Sequence, residues 1–330
     1  MNGDGHGTAP TGGRTSRNGK GRRFGGAGHD GSGETPMVDR AEFATYYGRP
    51  VLKPPVWGKD IAYYFFLGGL AAGSSLLAAG ADRTGRTALR RGSRLGAAAA
   101  IGAGTVFLIR DLGRPERFHH MLRVAKITSP MSVGTWILTA YGPMAGLAAT
   151  AEVVPARMGR GRAGRLVTAA GRPAGLGAAL LAPAVATYTA VLISDTAVPA
   201  WHEGLDVLPF IFTGSAAASA GGLGMIVSPV AQAAPARRMA VYGAAVELAA
   251  TRVLEHRPTK AVEPYVAGEA GRRLDRAGTL TVAGALGSLL FGRRSRLAAI
   301  ASGLALLLGG LYERLGIFQA GVDSAKKTTS

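Results

Sequence analysis

Few residues of this chain could do chemistry, and they are unevenly spread. The sequence has no cysteine, so it offers no thiolate for an iron–sulfur cluster or a thiolate-bound metal and no disulfide. His202-Glu203 has the look of the start of an HExxH zinc motif, but Asp206 stands where the next ligand would be, and no metal site is expected. No Walker loop, GxSxG elbow or strand-borne GxGxxG occurs, which leaves nucleotide and hydrolase chemistry without support. Two features remain. Glu247 is an acid inside an apolar run, and a connector from Arg110 to Lys126 is dense in Arg, Asp, Gly and Pro, with Asp111, Arg114 and Arg117 among its residues.

The elements that must carry these residues are long and apolar. The chain of 330 residues is 47% hydrophobic and 18% charged and holds 50 glycines, a composition that fits close-packed membrane helices. A span needs about 20 apolar residues to cross roughly 30 Å of hydrocarbon. Eight segments qualify, at 61–81, 95–109, 132–154, 174–194, 207–230, 236–251, 277–292 and 297–312. The expected fold is an all-α integral membrane protein of eight transmembrane helices. A likeness between the glycine-rich first and fifth helices suggests two four-helix bundles. The second, seventh and eighth segments are short and predict that Arg94, Arg110, Arg276, Arg293 and Arg296 reach out to the interface. Gly69 with Gly73, Gly142 with Gly146, and the run from Gly214 to Gly224 predict close helix contacts.

The net charge of +18 would ordinarily suggest a nucleic-acid partner, but its position argues for the lipid bilayer instead. Arg83, Arg86, Arg90, Arg91 and Arg94, then Arg157, Arg160, Arg162 and Arg165, cluster between apolar runs where lipid headgroups lie. Eight spans put both termini on one face, with these arginines on the other. The positive-inside rule then predicts termini on the outer face, and the expected location is the plasma membrane. Residues 1–45, rich in Gly and Arg, are expected to be a disordered tail without the apolar core of a signal peptide, ahead of a membrane domain over 46–330.

With the spans drawn, a b-type heme is not expected. His6 and His29 fall in the tail, His119, His120 and His202 in connectors, and His256 at the end of the sixth helix, so no pair faces another at bilayer depth. Glu247 would cost about 2.5–3.5 kcal/mol if charged at mid-bilayer and should face the protein interior. Two readings stay open for it. It pairs with Arg252, which can also reach Glu255, or it belongs to a proton pathway with Asp195, Glu203 and Arg252.

The connector and its sequel, LIRDLGRPERF and MLRVAKITSPMSVGTWIL, resemble the hallmark of the NrfD-type membrane subunits, the family of the polysulfide reductase membrane subunit. TYTAVLISDTAVPAWHE, LPFIFTGSAAASAGG and GLAAG resemble the same family's other helices. The resemblance implies a membrane anchor for a molybdopterin catalytic subunit and a four-cluster ferredoxin-like iron–sulfur subunit, exchanging electrons with a quinone, menaquinone by expectation. It implies that Arg110, Asp111, Arg114, Arg117 and Lys126 dock the iron–sulfur subunit, and that Tyr188 matches a fourth-helix tyrosine at the family's quinone pocket. Further quinone candidates on the same face are Tyr64, Lys59, Asp60 and His202, with Tyr63 and Tyr64 alternatively an interfacial aromatic belt. The competing readings are a proton-translocating subunit and a passive anchor without quinone chemistry of its own.

Overall fold

The computed structural model describes Pro55, residues 57–154 and residues 161–327. The expected tail at 1–45, with Arg157 and Arg160, lies outside the described residues. Among the described residues ten α-helices run in order: α1 (Lys59–Arg83), α2 (Thr87–Arg110), α3 (Pro130–Val153), α4 (Arg162–Ser194), the short α5 (Pro199–Glu203), α6 (Leu208–Val227), α7 (Ala234–Glu255), the short α8 (Glu263–Val266), α9 (Gly268–Leu290) and α10 (Arg296–Lys327). No strand occurs among the described residues. Each apolar segment named above lies within or largely within one long helix, and α1, α2, α4, α6 and α10 are long and apolar enough to cross a bilayer. The polar helix ends explain why α7 and α9 fall short of that measure: α7 includes Arg237, Arg238 and Arg252, and α9 includes Arg272, Arg273, Asp275 and Arg276.

Local signals set the boundaries. Gly85 takes a left-handed φ of 67°, which lets α1 reverse into α2 within a few residues. Ser129 caps α3 by accepting from the Ser132 amide, and Pro130 opens the helix where its missing N–H costs nothing.

Helix packing runs from α1 to α2, α2 to α3, α3 to α4 and α4 back to α1. A second circuit runs from α6 to α7, α7 to α9, α9 to α10 and α10 back to α6, and α6 joins the two circuits by lying against α1, α2 and α4. The glycine-rich stretches of α1 and α6 meet each other. A Cβ on Gly73 would lie 2.6 Å from the Ala216 carbonyl oxygen, and one on Gly69 would lie 3.2 Å from the Ala216 Cβ. Gly214 packs in the same way on the backbone of α7, and Gly222 on that of α10. Gly142 and Gly146 differ from expectation. A Cβ at either would meet no neighbouring atom within 4 Å, so these two glycines are not where α3 meets another helix; Met144 and buried Ala145 between them make the contact instead.

The short segments prove longer than hydropathy suggested, and their flanking arginines divide: Arg110, Arg276, Arg293 and Arg296 are exposed, whereas Arg94 is used inside the protein. Arg94 is buried rather than extended to the interface. It pairs with Glu152 at 2.8 Å and Asp82 at 3.7 Å, and Arg90 pairs with Glu152 at 2.7 Å and Asp82 at 3.1 Å. Arg172 closes on Asp82 at 3.0 Å, so charges from α1, α2, α3 and α4 share one network at the end opposite Lys59. Gly175 leaves room for this: a Cβ there would come within 2.9 Å of the Arg94 guanidinium. Arg296, though exposed, donates to the Met225 carbonyl at 2.6 Å and caps the last carbonyls of α6.

Candidate functional site

At the end of the first circuit where α1 begins, a cavity of about 230 Å³ opens between α1, α2, α3 and α4. Its walls are largely apolar, from Ile61, Phe65, Leu108 and Leu138, and its polar groups are few: Tyr64, Asp111, Thr135 and Tyr188. That pattern, an apolar pocket with sparse polar groups, is the usual form of a small-ligand site. Its volume lies below the roughly 300–1,000 Å³ of drug-sized sites and suits a single ring.

Tyr188 stands near the C-terminal end of α4 and is 9% exposed. Its ring lies on the bare backbone of Gly134, where an added Cβ would approach the Tyr188 Cε2 to 2.5 Å. Its hydroxyl is buried and has no hydrogen-bond partner. Buried hydroxyls are ordinarily paired, and this one is not. Tyr64, one turn into α1, is buried beside it on the same lining, with Phe65 tilted against it at 6.0 Å between rings.

Asp111 follows directly on α2 and accepts from the Gly58 N–H at 2.8 Å, tying the start of α1 to the end of α2. Burial, reinforced by the nearby charge of Asp60 and opposed by the Gly58 hydrogen bond, pushes its carboxyl above the usual carboxylate range. Trp57 lines the same cavity and stacks on Trp201 at 6.0 Å. Trp201 is fully buried, donates to the Ile317 carbonyl at 2.8 Å and so links this cavity to α10.

The remaining quinone candidates do not line this cavity. Lys59 is exposed at the start of α1, Asp60 pairs with Arg110 at 3.5 Å, and exposed His202 holds its Nδ1 3.1 Å from the Ser194 carbonyl oxygen. Beyond Asp111 the connector forms a 3-10 helix, Pro115–Leu122, with no buried residue. Arg114, Arg117 and Lys126 are exposed, beside Phe118, Val124 and the 90% exposed Ile127. Arg110 and Asp111 already have partners within the protein, through Asp60 and Gly58.

The proton-pathway candidates separate. Asp195 is exposed where α4 ends, and Glu203 pairs with Arg257 at 3.5 Å. Arg252 pairs with Glu255 at 3.3 Å rather than with Glu247. Glu247 is 2% exposed, accepts from the Thr281 hydroxyl at 3.2 Å and leaves Oε2 without a partner. Its charged company is Glu313 and Arg314, which are buried and paired with each other. Arg314 lies 3.7 Å over the Phe212 ring and donates to the Phe212 carbonyl at 2.7 Å. Glu247 and Glu313 share the lining of a cavity of about 700 Å³ with exposed Arg252 and Asp275. Sequence reasoning missed Glu313 and Arg314, because the apolar run ends at Tyr312. The signal present was Leu315, Ile317 and Phe318, which continue an apolar helical face beyond the charged pair.

A family model described as polysulphide reductase, NrfD, matches residues 50–249. The chain belongs to the NrfD family. It is a multi-pass membrane protein, as its apolar helices and this membership require. It is also 36% identical over 95 residues to the C subunit of polysulfide reductase from Wolinella succinogenes, a stretch covering 27% of this protein and 30% of that one. The match thus spans less than a third of that relative. The NrfD match takes in every residue lining the smaller cavity, from Trp57 to Leu192. Glu313 and Arg314 lie beyond it.

Proposed function

We propose that this chain is the quinone-reactive membrane subunit of a molybdopterin oxidoreductase complex. In this reading it has eight spans in two four-helix bundles, lies in the plasma membrane with its termini outside, and passes electrons between menaquinone and a four-cluster ferredoxin-like iron–sulfur subunit. The single observation that carries the proposal is the buried, partnerless hydroxyl of Tyr188, a residue on the lining of an apolar cavity beneath an exposed basic connector.

Interconversion of quinone and quinol moves two electrons and two protons. With no cysteine in the chain and no histidine pair at bilayer depth, the electrons leave to or arrive from clusters in the partner. The Tyr188 hydroxyl donates to a quinone carbonyl oxygen and accepts from a quinol hydroxyl. Asp111, half-buried on the cavity lining, exchanges protons between the ring and water. The connector, through Arg114, Arg117 and Lys126 with the apolar Phe118, Val124 and Ile127, meets the iron–sulfur subunit close to the ring.

The test uses the purified complex. Tyr188→Phe should lower kcat/KM for quinol or quinone by about tenfold or more, on the order of one lost hydrogen bond to a reacting oxygen, and weaken a menaquinone-site inhibitor. Turnover and inhibitor binding equal to wild type would sink the reading. A second reading, proton translocation by the second circuit, is favoured by the partnerless Oε2 of Glu247 and Oε1 of Glu313 beside the larger cavity. In proteoliposomes it predicts that Glu247→Gln abolishes turnover-coupled proton uptake while electron transfer continues.

A further inference from the structure

The face of the second circuit opposite the start of α1 carries a cavity of another kind. About 310 Å³ in volume, it lies between the first turns of α7 and the last turns of α9. Three arginines line it, Arg237 and Arg238 from α7 and Arg293 from just beyond α9, and no carboxylate does. The charges acting on Arg237 are those of Arg293 and Arg238, both positive. Elsewhere in the protein the buried arginines are neutralised, Arg94 by Glu152 and Arg314 by Glu313. Among the described residues this cluster has no acidic partner. Arg237 is held in position by the Val230 carbonyl at 3.3 Å and the Gly292 carbonyl at 3.5 Å, and half-buries its charge there. Arg238 and Arg293 are exposed.

The 22-residue helix α7 begins at the same place with no side-chain cap on its first amides, which adds the positive end of a helix dipole. Deeper along both helices the lining turns apolar. Tyr242, 72% exposed, stands on α7 about a turn below the arginines, and Leu289, 57% exposed, on α9. Such a gradient, from a triple positive charge at the helix ends to apolar walls toward mid-bilayer, matches a lipid with a negatively charged phosphodiester head and acyl chains.

We propose that this cavity is a binding site for an anionic phospholipid. The phosphodiester takes the guanidinium groups of Arg238 and Arg293, Arg237 supplies the third charge, and one acyl chain runs along Tyr242 and Leu289. The ligand is a lipid and not a free anion, because Val241, Tyr242 and Leu289 give the lining an apolar part beside the arginines. The site is independent of the quinone reading and stands on its own if that reading fails.

The purified full-length protein, stripped of lipid in detergent, is titrated with phosphatidylglycerol, with phosphatidylcholine and with inorganic phosphate, and bound adducts are counted by native mass spectrometry. Phosphatidylglycerol should bind in preference to phosphatidylcholine. The double variant Arg238→Gln/Arg293→Gln should weaken it by about 10–30-fold, from roughly 1 kcal/mol per basic residue at the membrane surface. A double variant of the same charge at the other end of α9, Arg272→Gln/Arg276→Gln, should bind as wild type does. Thermal unfolding of lipid-free wild type and variants checks that each is folded, and the single variant Arg293→Gln serves if the double is not. Equal binding of the two lipids, equal loss in both double variants, unchanged binding in Arg238→Gln/Arg293→Gln, or displacement of the lipid by millimolar phosphate would each overturn the proposal.

Discussion

Tyr188 and Gly134 are best regarded as one device. The ring rests on α3 because position 134 has no Cβ, and the buried hydroxyl is left without a partner. Gly134→Ala should displace the ring and lower quinone-linked turnover several-fold, about 1–3 kcal/mol of overpacking shared between site and fold. Gly142→Ala, on the same helix with open space around it, should leave turnover as it was. Steady-state kinetics on both variants checks the pair. Asp111 permits a pH test. Its folded-state pKa is raised, chiefly by burial, above that of the unfolded chain. The neutral form is therefore the one the fold favours, and stability declines as pH rises from the ordinary carboxylate value of about 4 through the raised one. Asp111→Asn should flatten the pH dependence of the thermal unfolding midpoint in that window. A profile identical to wild type would remove Asp111 from this role.

The ends of the helices turn on charges that hydropathy treats as boundaries. Arg94 looks like a headgroup anchor when only its neighbours in sequence are considered, yet it lies buried against Glu152 and Asp82 beneath the bare backbone of Gly175. Removing one partner of such a pair leaves a buried charge uncompensated, at a cost of roughly 3–5 kcal/mol. Arg94→Leu should approach that cost, moderated because Arg90 still reaches Glu152. The double variant Arg94→Leu/Glu152→Leu should be less destabilised than the sum of the two single variants. Simple additivity in thermal unfolding would show that the pair is not coupled. α10 teaches the same lesson. It passes through Glu313 and Arg314 without ending, because those side chains find each other, Phe212 and the neighbourhood of Glu247 inside the protein.

At the level of the whole protein, the two helix circuits join along α1 and α6, whose small residues let their backbones approach. Eight spans require the connector with Arg114 and the one with Lys260 to share a side, and the turns with Thr84 and Arg294 to share the other. The absence of native cysteine makes this directly measurable. Arg114→Cys and Lys260→Cys should react with an impermeant maleimide from one side of sealed vesicles only, and Thr84→Cys and Arg294→Cys from the opposite side only. Reaction of Arg114→Cys and Arg294→Cys from the same side would refute an eight-span arrangement. If the basic face is cytoplasmic, the second pair is the one protected in intact cells.

Helix positions, the all-α class, family membership and the connector at 110–126 were legible along the sequence, because apolar runs and a local motif are properties of neighbouring residues. Tyr188 could also be singled out there, through the resemblance of its segment to the NrfD family. Its meeting with Asp111 and Gly134 could not, since these come from three separate helices or their ends and converge only on packing. The same holds for the charges. A run of arginines carries no mark of which ones will find Glu152 or Asp82 a full span away, and a charged pair after an apolar run reads as an end. Only folding reveals whether a charge meets a partner inside or lipid outside, and that distinction separates Arg94 and Arg314 from the unneutralised arginines at 237, 238 and 293.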